Sequence, residues 1–166
     1  DQINKNNVEN LELKWVLQNQ VFGAWQSNPI VVDGIMYVTE RPNSVMAVDA
    51  VTGRVFWKYR HQNADNALVC CGANNRGVAV LNDKVYMGTL DAHLVALDRI
   101  NGQLLWKAEV GDVDLAYSVT MAPLAVKDKI MVGVGGGEFG IRGYVAAFDA
   151  ETGEEAWKTY TIPGPG

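Results

Sequence analysis

Two adjacent thiols, Cys70 and Cys71, are the only cysteines in the chain. Neighbouring Cα atoms lie about 3.8 Å apart across a trans peptide, whereas disulfides ordinarily want about 4.4 Å or more. The pair therefore reads either as two unrelated buried thiols or as a vicinal disulfide closing a strained eight-membered ring. Strain of that kind usually persists for a function. The ring would offer a rigid, flat, apolar face on which a planar cofactor could stack. A second unusual stretch runs from Met131 to Gly143, MVGVGGGEFGIRG. Gly133, Gly135, Gly136 and Gly137 weaken a strand, and close approach of a ligand is one reason to keep them. A nucleotide phosphate loop is the wrong reading, because no Gly-Lys-Ser/Thr follows and no helix begins here. Behind the glycines, the Glu138 carboxylate suits a hard cation such as Ca²⁺; the plainer alternative is a solvated glutamate.

These residues need elements to hold them, and the chain announces its elements by repetition. AVDAVTGRVFW (Ala47–Trp57), ALDRINGQLLW (Ala96–Trp106) and AFDAETGEEAW (Ala147–Trp157) share Ala, Asp, Gly and Trp at matched positions. The tryptophans are 49 and 51 residues apart, and Trp15 looks like the end of a further unit. A second series also recurs: PIVVDGIMYVTE, VAVLNDKVYMGT and PLAVKDKIMVGV. Each is two short β-type runs joined at Asp-Gly or Asp-Lys, the composition of a tight hairpin. A unit is thus a hairpin, a strand, an Asp-x-x-Thr/Asn-Gly turn, and a strand ending in Trp. Asp and Asn satisfy backbone groups in the turn, and Gly takes its positive φ. Such a unit cannot bury both faces alone, so units must stack, with each Trp docked on a neighbour. An all-β chain with a period of this length predicts a propeller rather than a sandwich.

The chain holds about three such units, whereas closed propellers have typically about four to eight blades. Three blades leave open edges and faces, and TYTIPGPG at the end reads as loop. The expectation is therefore a partial propeller, residues 1–166 forming part of one larger domain. Composition agrees. The 166 residues are 48% hydrophobic and 20% charged, with 17 Gly, 5 Trp and 6 Tyr. That excludes a disordered chain. A formal charge of −5 argues against a nucleic-acid partner. No apolar run approaches about 18 residues, so no transmembrane helix is expected. The polar start, DQINKNNVEN, shows no signal peptide, although one could have been removed.

The Trp repeats, the Cys-Cys-Gly-x-x-Asn-Arg-Gly run (Cys70–Gly77) and the Gly-Gly-x-Glu-Phe-Gly-Ile-Arg-Gly-Tyr run (Gly135–Tyr144) resemble the quinoprotein alcohol dehydrogenases. That family includes methanol dehydrogenase and the quinohaemoprotein alcohol dehydrogenases. The resemblance implies an eight-bladed propeller that binds pyrroloquinoline quinone (PQQ) and a calcium or lanthanide ion. It implies a disulfide between Cys70 and Cys71 packed on one quinone face, and Arg76 paired with a PQQ carboxylate, a task suited to guanidinium. It implies Thr120 hydrogen-bonded to the cofactor, Gly135, Gly136 and Gly137 passing its edge, and Glu138 as a metal ligand.

Gln26 stands where many members have a cofactor-contacting Glu. Asn74 replaces a typical Val, and Gly137 a typical Ala. The family's catalytic Asp, its metal-ligand Asn and the Trp on the other quinone face belong to later blades. The resemblance thus implies half a cofactor site and no catalytic base in this chain. For the whole protein it implies oxidation of a primary alcohol, with electrons passed to a cytochrome c. A cysteine pair kept oxidised fits the periplasm. Two rivals are a non-enzymatic scaffold of the outer-membrane assembly type and a quinoprotein sugar dehydrogenase. The scaffold needs neither the cysteine pair nor Glu138, and the sugar dehydrogenases generally lack the cysteine run.

Overall fold

In the computed structural model, residues 3–164 are described; the outermost residues of the expected 1–166 unit lie outside them. Twelve strands form three four-stranded antiparallel meanders. The first holds β1 (Ile30–Val32), β2 (Ile35–Glu40), β3 (Ser44–Asp49) and β4 (Val55–Arg60). The second holds β5 (Ala79–Leu81), β6 (Lys84–Gly88), β7 (His93–Asp98) and β8 (Leu104–Glu109). The third holds β9 (Leu124–Val126), β10 (Lys129–Gly133), β11 (Tyr144–Asp149) and β12 (Glu155–Tyr160). Among the described residues the only helical turns are three short 3₁₀ segments. The all-β expectation therefore holds, and each sheet is one propeller blade.

The β1–β2 hairpin turns on Asp33 and Gly34, both at positive φ, as a two-residue turn between right-twisted strands requires. In the other two blades the turn pairs are Asn82–Asp83 and Lys127–Asp128, not the Asp-Lys junctions expected. Lys84 and Lys129 already belong to the following strands. The lysines are drawn there by ion pairs: Lys84 Nζ lies 2.9 Å from carboxylates of both Asp83 and Glu151, the latter in the next blade.

The repeated eleven-residue segment performs the stacking. Asp49 Oδ1 accepts from the amides of Val51 and Thr52, and Asp98 and Asp149 accept from the equivalent amides of their own turns. These donors hold the Asp49 carboxyl below its usual range. Each repeat Ala faces its Trp across the ladder: Ala47 opposite Trp57, Ala96 opposite Trp106, Ala147 opposite Trp157. The indole then reaches the following unit. Trp15, Trp57 and Trp106 donate Nε1–H to the carbonyls of Ala50, Arg99 and Ala150 at 3.0–3.3 Å. The ring lies over the glycine of that turn, so a Cβ on Gly53, Gly102 or Gly153 would sit 2.5–2.7 Å from indole carbon. The repeat glycine therefore serves as a floor for the neighbour's ring as well as a positive-φ residue.

Trp57 is 9% exposed and Trp106 half-buried, whereas Trp157 is 41% exposed. The expectation that all the repeat tryptophans are largely buried fails at Trp157, because no described sheet lies beyond the third to cover it. Two of the three apolar clusters among the described residues occupy the blade junctions, one around Tyr37, Val45, Trp57 and Leu97, the other around Tyr86, Ile130, Tyr144 and Phe148; the third, around Val38, Met46 and Val48, packs against Trp15.

Burial pushes both Tyr86 and Tyr144 up to about 12. Their hydroxyls donate to the carbonyls of Ala150 and Val110. A folded-state value above the unfolded value of about 10 stabilises the fold below pH 10 and ceases to do so as pH rises towards 12. An alkaline titration followed by tyrosinate absorbance should show these two tyrosines lagging the exposed ones, with thermal stability falling over the same interval. Uniform titration near pH 10 with the fold intact would contradict this assignment of burial.

Candidate functional site

Three connections converge on one concavity of about 170 Å³. The β4–β5 connection supplies Cys70, Cys71, Gly72, Asn74 and Arg76. The β8–β9 connection supplies Ser118 and Thr120, and the β10–β11 connection supplies Gly135, Gly136 and Glu138.

Backbone stitching fixes their places. Asn28 N–H donates to Arg76 O, and Arg76 N–H donates to Thr120 O, each at 3.1 Å. Ser118 and Gly135 exchange two backbone hydrogen bonds at 2.8 and 3.1 Å. A buried residue the sequence reading left without a role, Asn75, clips the arginine loop to the sheets. Its Nδ2 donates to Gly88 O at 2.8 Å, its Oδ1 accepts from Gly77 N–H at 3.1 Å, and its carbonyl accepts from the Thr39 hydroxyl. Its position inside the Cys70–Gly77 run was the available signal. At Gly136 φ is +120°, and a Cβ there would overlap the Ala116 carbonyl oxygen. The glycine lets the third connection fold tightly behind the wall.

Cys70 and Cys71 are bonded to each other, with Cα atoms 3.8 Å apart and Cys71 in the left-handed region at φ +64°. The expectation of a vicinal disulfide at the concavity holds. Asn74 donates Nδ2–H to Cys71 O at 3.2 Å and so braces the ring. Its Oδ1 is buried and accepts no hydrogen bond.

The Arg76 guanidinium is exposed and makes one long contact, Nη1 to Thr120 O at 3.4 Å. Glu138 is the middle residue of the Gly137–Phe139 turn and is exposed. Among the described residues neither side chain forms an ion pair, with the other or with any third group. One wall thus presents the Cys70–Cys71 disulfide, a cation and a carboxylate, with neither charge in an ion pair among the described residues. Two expected residues stand apart from the lining. Gln26 is exposed on the segment before β1, near Ser27, whose hydroxyl accepts from Thr39 N–H. Gly137 lies exposed beside Glu138.

The family model described as the glucose/ethanol/alcohol dehydrogenase β-propeller domain, a PQQ family, matches residues 1–165. The chain belongs to this family. It is 46% identical to the quinohemoprotein alcohol dehydrogenase ADH-IIG of Pseudomonas putida, over 98% of this chain and 23% of that protein. It is 41% identical to a lanthanide-dependent methanol dehydrogenase of Methylacidiphilum fumariolicum, over 97% of this chain and 27% of that protein. The crystal structure of the quinohemoprotein alcohol dehydrogenase of Comamonas testosteroni superposes with a TM-score of 0.90 at 40% identity, covering 99% of this chain and 25% of that one. The chain thus spans about a quarter of the length of the curated PQQ-family relatives it matches.

Proposed function

We propose that this concavity is one wall of the PQQ and metal site of an alcohol-oxidising quinoprotein. The observation that carries the reading is the convergence on one surface of the Cys70–Cys71 ring and Arg76, from the β4–β5 connection, with Glu138, from the β10–β11 connection. The donor set fits the group. An unpaired guanidinium awaits an anion, an unpaired carboxylate awaits a cation, and the orphaned Asn74 Oδ1 awaits a donor. When bound, the PQQ–metal pair supplies an electron-accepting quinone polarised by a Lewis acid.

The chain's own residues bind and orient. The Cys70–Cys71 ring offers a stacking face that the backbone and Asn74 hold in place. Arg76 takes a cofactor carboxylate, with Thr120 beside it as a hydrogen-bonding partner. Gly135 and Gly136 line the concavity and allow close approach of the cofactor edge; Gly137 lies beside it. Glu138 donates hard oxygen to calcium or a lanthanide. Gln26, exposed on the segment preceding β1 and outside the lining, is assigned no contact on this wall. The proton-accepting base is assigned to no residue of this chain.

The substrate proposed is a primary alcohol, and the electron acceptor a cytochrome c. A disulfide between adjacent cysteines supports a periplasmic setting, where oxidised pairs persist. For the full-length protein, Arg76→Ala should raise the PQQ dissociation constant about 10- to 100-fold, the scale of a lost charge-assisted pair. Quinone absorbance during titration reads this directly. Unchanged PQQ affinity would overturn the assignment of Arg76, and failure of the parent protein to bind PQQ at all would overturn the function.

A further inference from the structure

The chain has two histidines, and both meet at one buried carboxylate; none of the three lines the concavity. His61 directly follows β4, Asp91 lies in the β6–β7 connection, and His93 opens β7. His61 Nε2 lies 3.0 Å from both oxygens of Asp91, which is 3% exposed. His93 Nδ1 lies 3.5 Å from Asp91 Oδ1, yet it is buried without a hydrogen-bond partner. All three donor atoms fall within 4.8 Å of one another.

We propose that His61, Asp91 and His93 form a binding site for a borderline divalent cation such as Zn²⁺, distinct from the hard-cation role of Glu138. The distances favour it. Zinc with ligands at about 2.0–2.1 Å in tetrahedral array separates donor atoms by about 3.3 Å, between the two separations seen here. A modest rotation of one imidazole closes the remaining edge.

The surroundings favour it too, because ligating groups are normally oriented from behind. The Thr89 hydroxyl donates to Asp91 Oδ1 at 2.5 Å, and Ala64 N–H donates to Oδ2 at 3.2 Å. His61 Nδ1 lies 3.4 Å from the Tyr59 hydroxyl.

The donor set selects the class of ion. Two imidazoles and a carboxylate suit zinc, copper or nickel, whereas calcium takes six to eight oxygens. Water would fill the fourth position. The role is to join blades: the cation would tie the start of the connection carrying Cys70–Arg76 to the second sheet.

The test uses the full-length protein loaded with PQQ and calcium, titrated with Zn²⁺ against a chromophoric chelator. A single zinc equivalent should bind and raise the thermal midpoint, and X-ray absorption at the zinc edge should show two imidazole nitrogens. His93→Gln, at a partly exposed position, should weaken zinc binding by at least about tenfold and abolish the thermal shift. Glu138→Gln should leave both unchanged. The X-ray absorption result on the parent protein stands even if the His93 variant folds poorly. No zinc equivalent, a zinc shell without imidazole, unaltered binding in His93→Gln, or binding lost only in Glu138→Gln would each overturn the proposal.

Discussion

Glu138→Gln in the full-length protein is expected to lower alcohol-dependent dye reduction by about 10²- to 10⁴-fold. The amide keeps the shape of the side chain but removes the one carboxylate this wall offers to a cation. Lewis-acid stabilisation is worth several kcal/mol, and each 1.36 kcal/mol is a factor of ten in rate. Glu138 is exposed and supports no packing, so the thermal midpoint of the metal-free protein should not move. A large excess of Ca²⁺ should restore part of the rate, since the variant weakens metal binding without disturbing the fold. Activity within about threefold of the parent protein, at metal concentrations limiting for the parent, would remove Glu138 from the metal site.

The second large effect falls on stability. In Gly102→Ala the new methyl would sit 2.5 Å from Trp57 Cε3, at φ +74°. Two costs combine. A left-handed non-glycine residue costs about 1–2 kcal/mol, and crowding a packed ring adds about 1–3 kcal/mol. The expected loss is about 2–5 kcal/mol, measured from the denaturant midpoint. Gly34→Ala separates the two contributions, because Gly34 has nearly the same φ, +76°, and open space around it. It should lose only the backbone part. Equal losses in the two variants would show that the indole contact contributes nothing.

Much of this was legible in the chain itself. The Ala, Asp, Gly and Trp of the repeats specify a turn and a docking ring by residue chemistry alone, and three copies made the blades countable. Cys70–Cys71 and Glu138 stood out because adjacent cysteines and serial glycines are costly without a purpose.

Other features depend on contacts between distant segments, which spacing does not encode. Asn75 looks like any loop asparagine until Gly88 and Thr39 are brought to it. The cover that Trp57 places on Gly102 is invisible within one unit, because ring and floor belong to successive units. The lysines of the second and third hairpins were assigned to turns because Asp-Lys resembles a turn pair locally. Their ion pairs, one reaching the next blade, place them in strands. The meeting of His61 with His93 had no local signal, since thirty-one residues separate them and two sheets must stack first.

The indole-on-glycine contact has a direction. Each unit projects a knob forward and offers a socket backward, so the contact is head-to-tail rather than self-complementary. Head-to-tail contacts repeated with a constant rotation generate a ring when the rotation closes. Because knob and socket lie within one eleven-residue segment, a duplicated unit arrives already able to grip both neighbours. Blade number is then open to change by duplication without inventing a new interface. The chemistry-bearing connections can diverge separately, because the parts that grip and the parts that bind occupy different stretches of each unit.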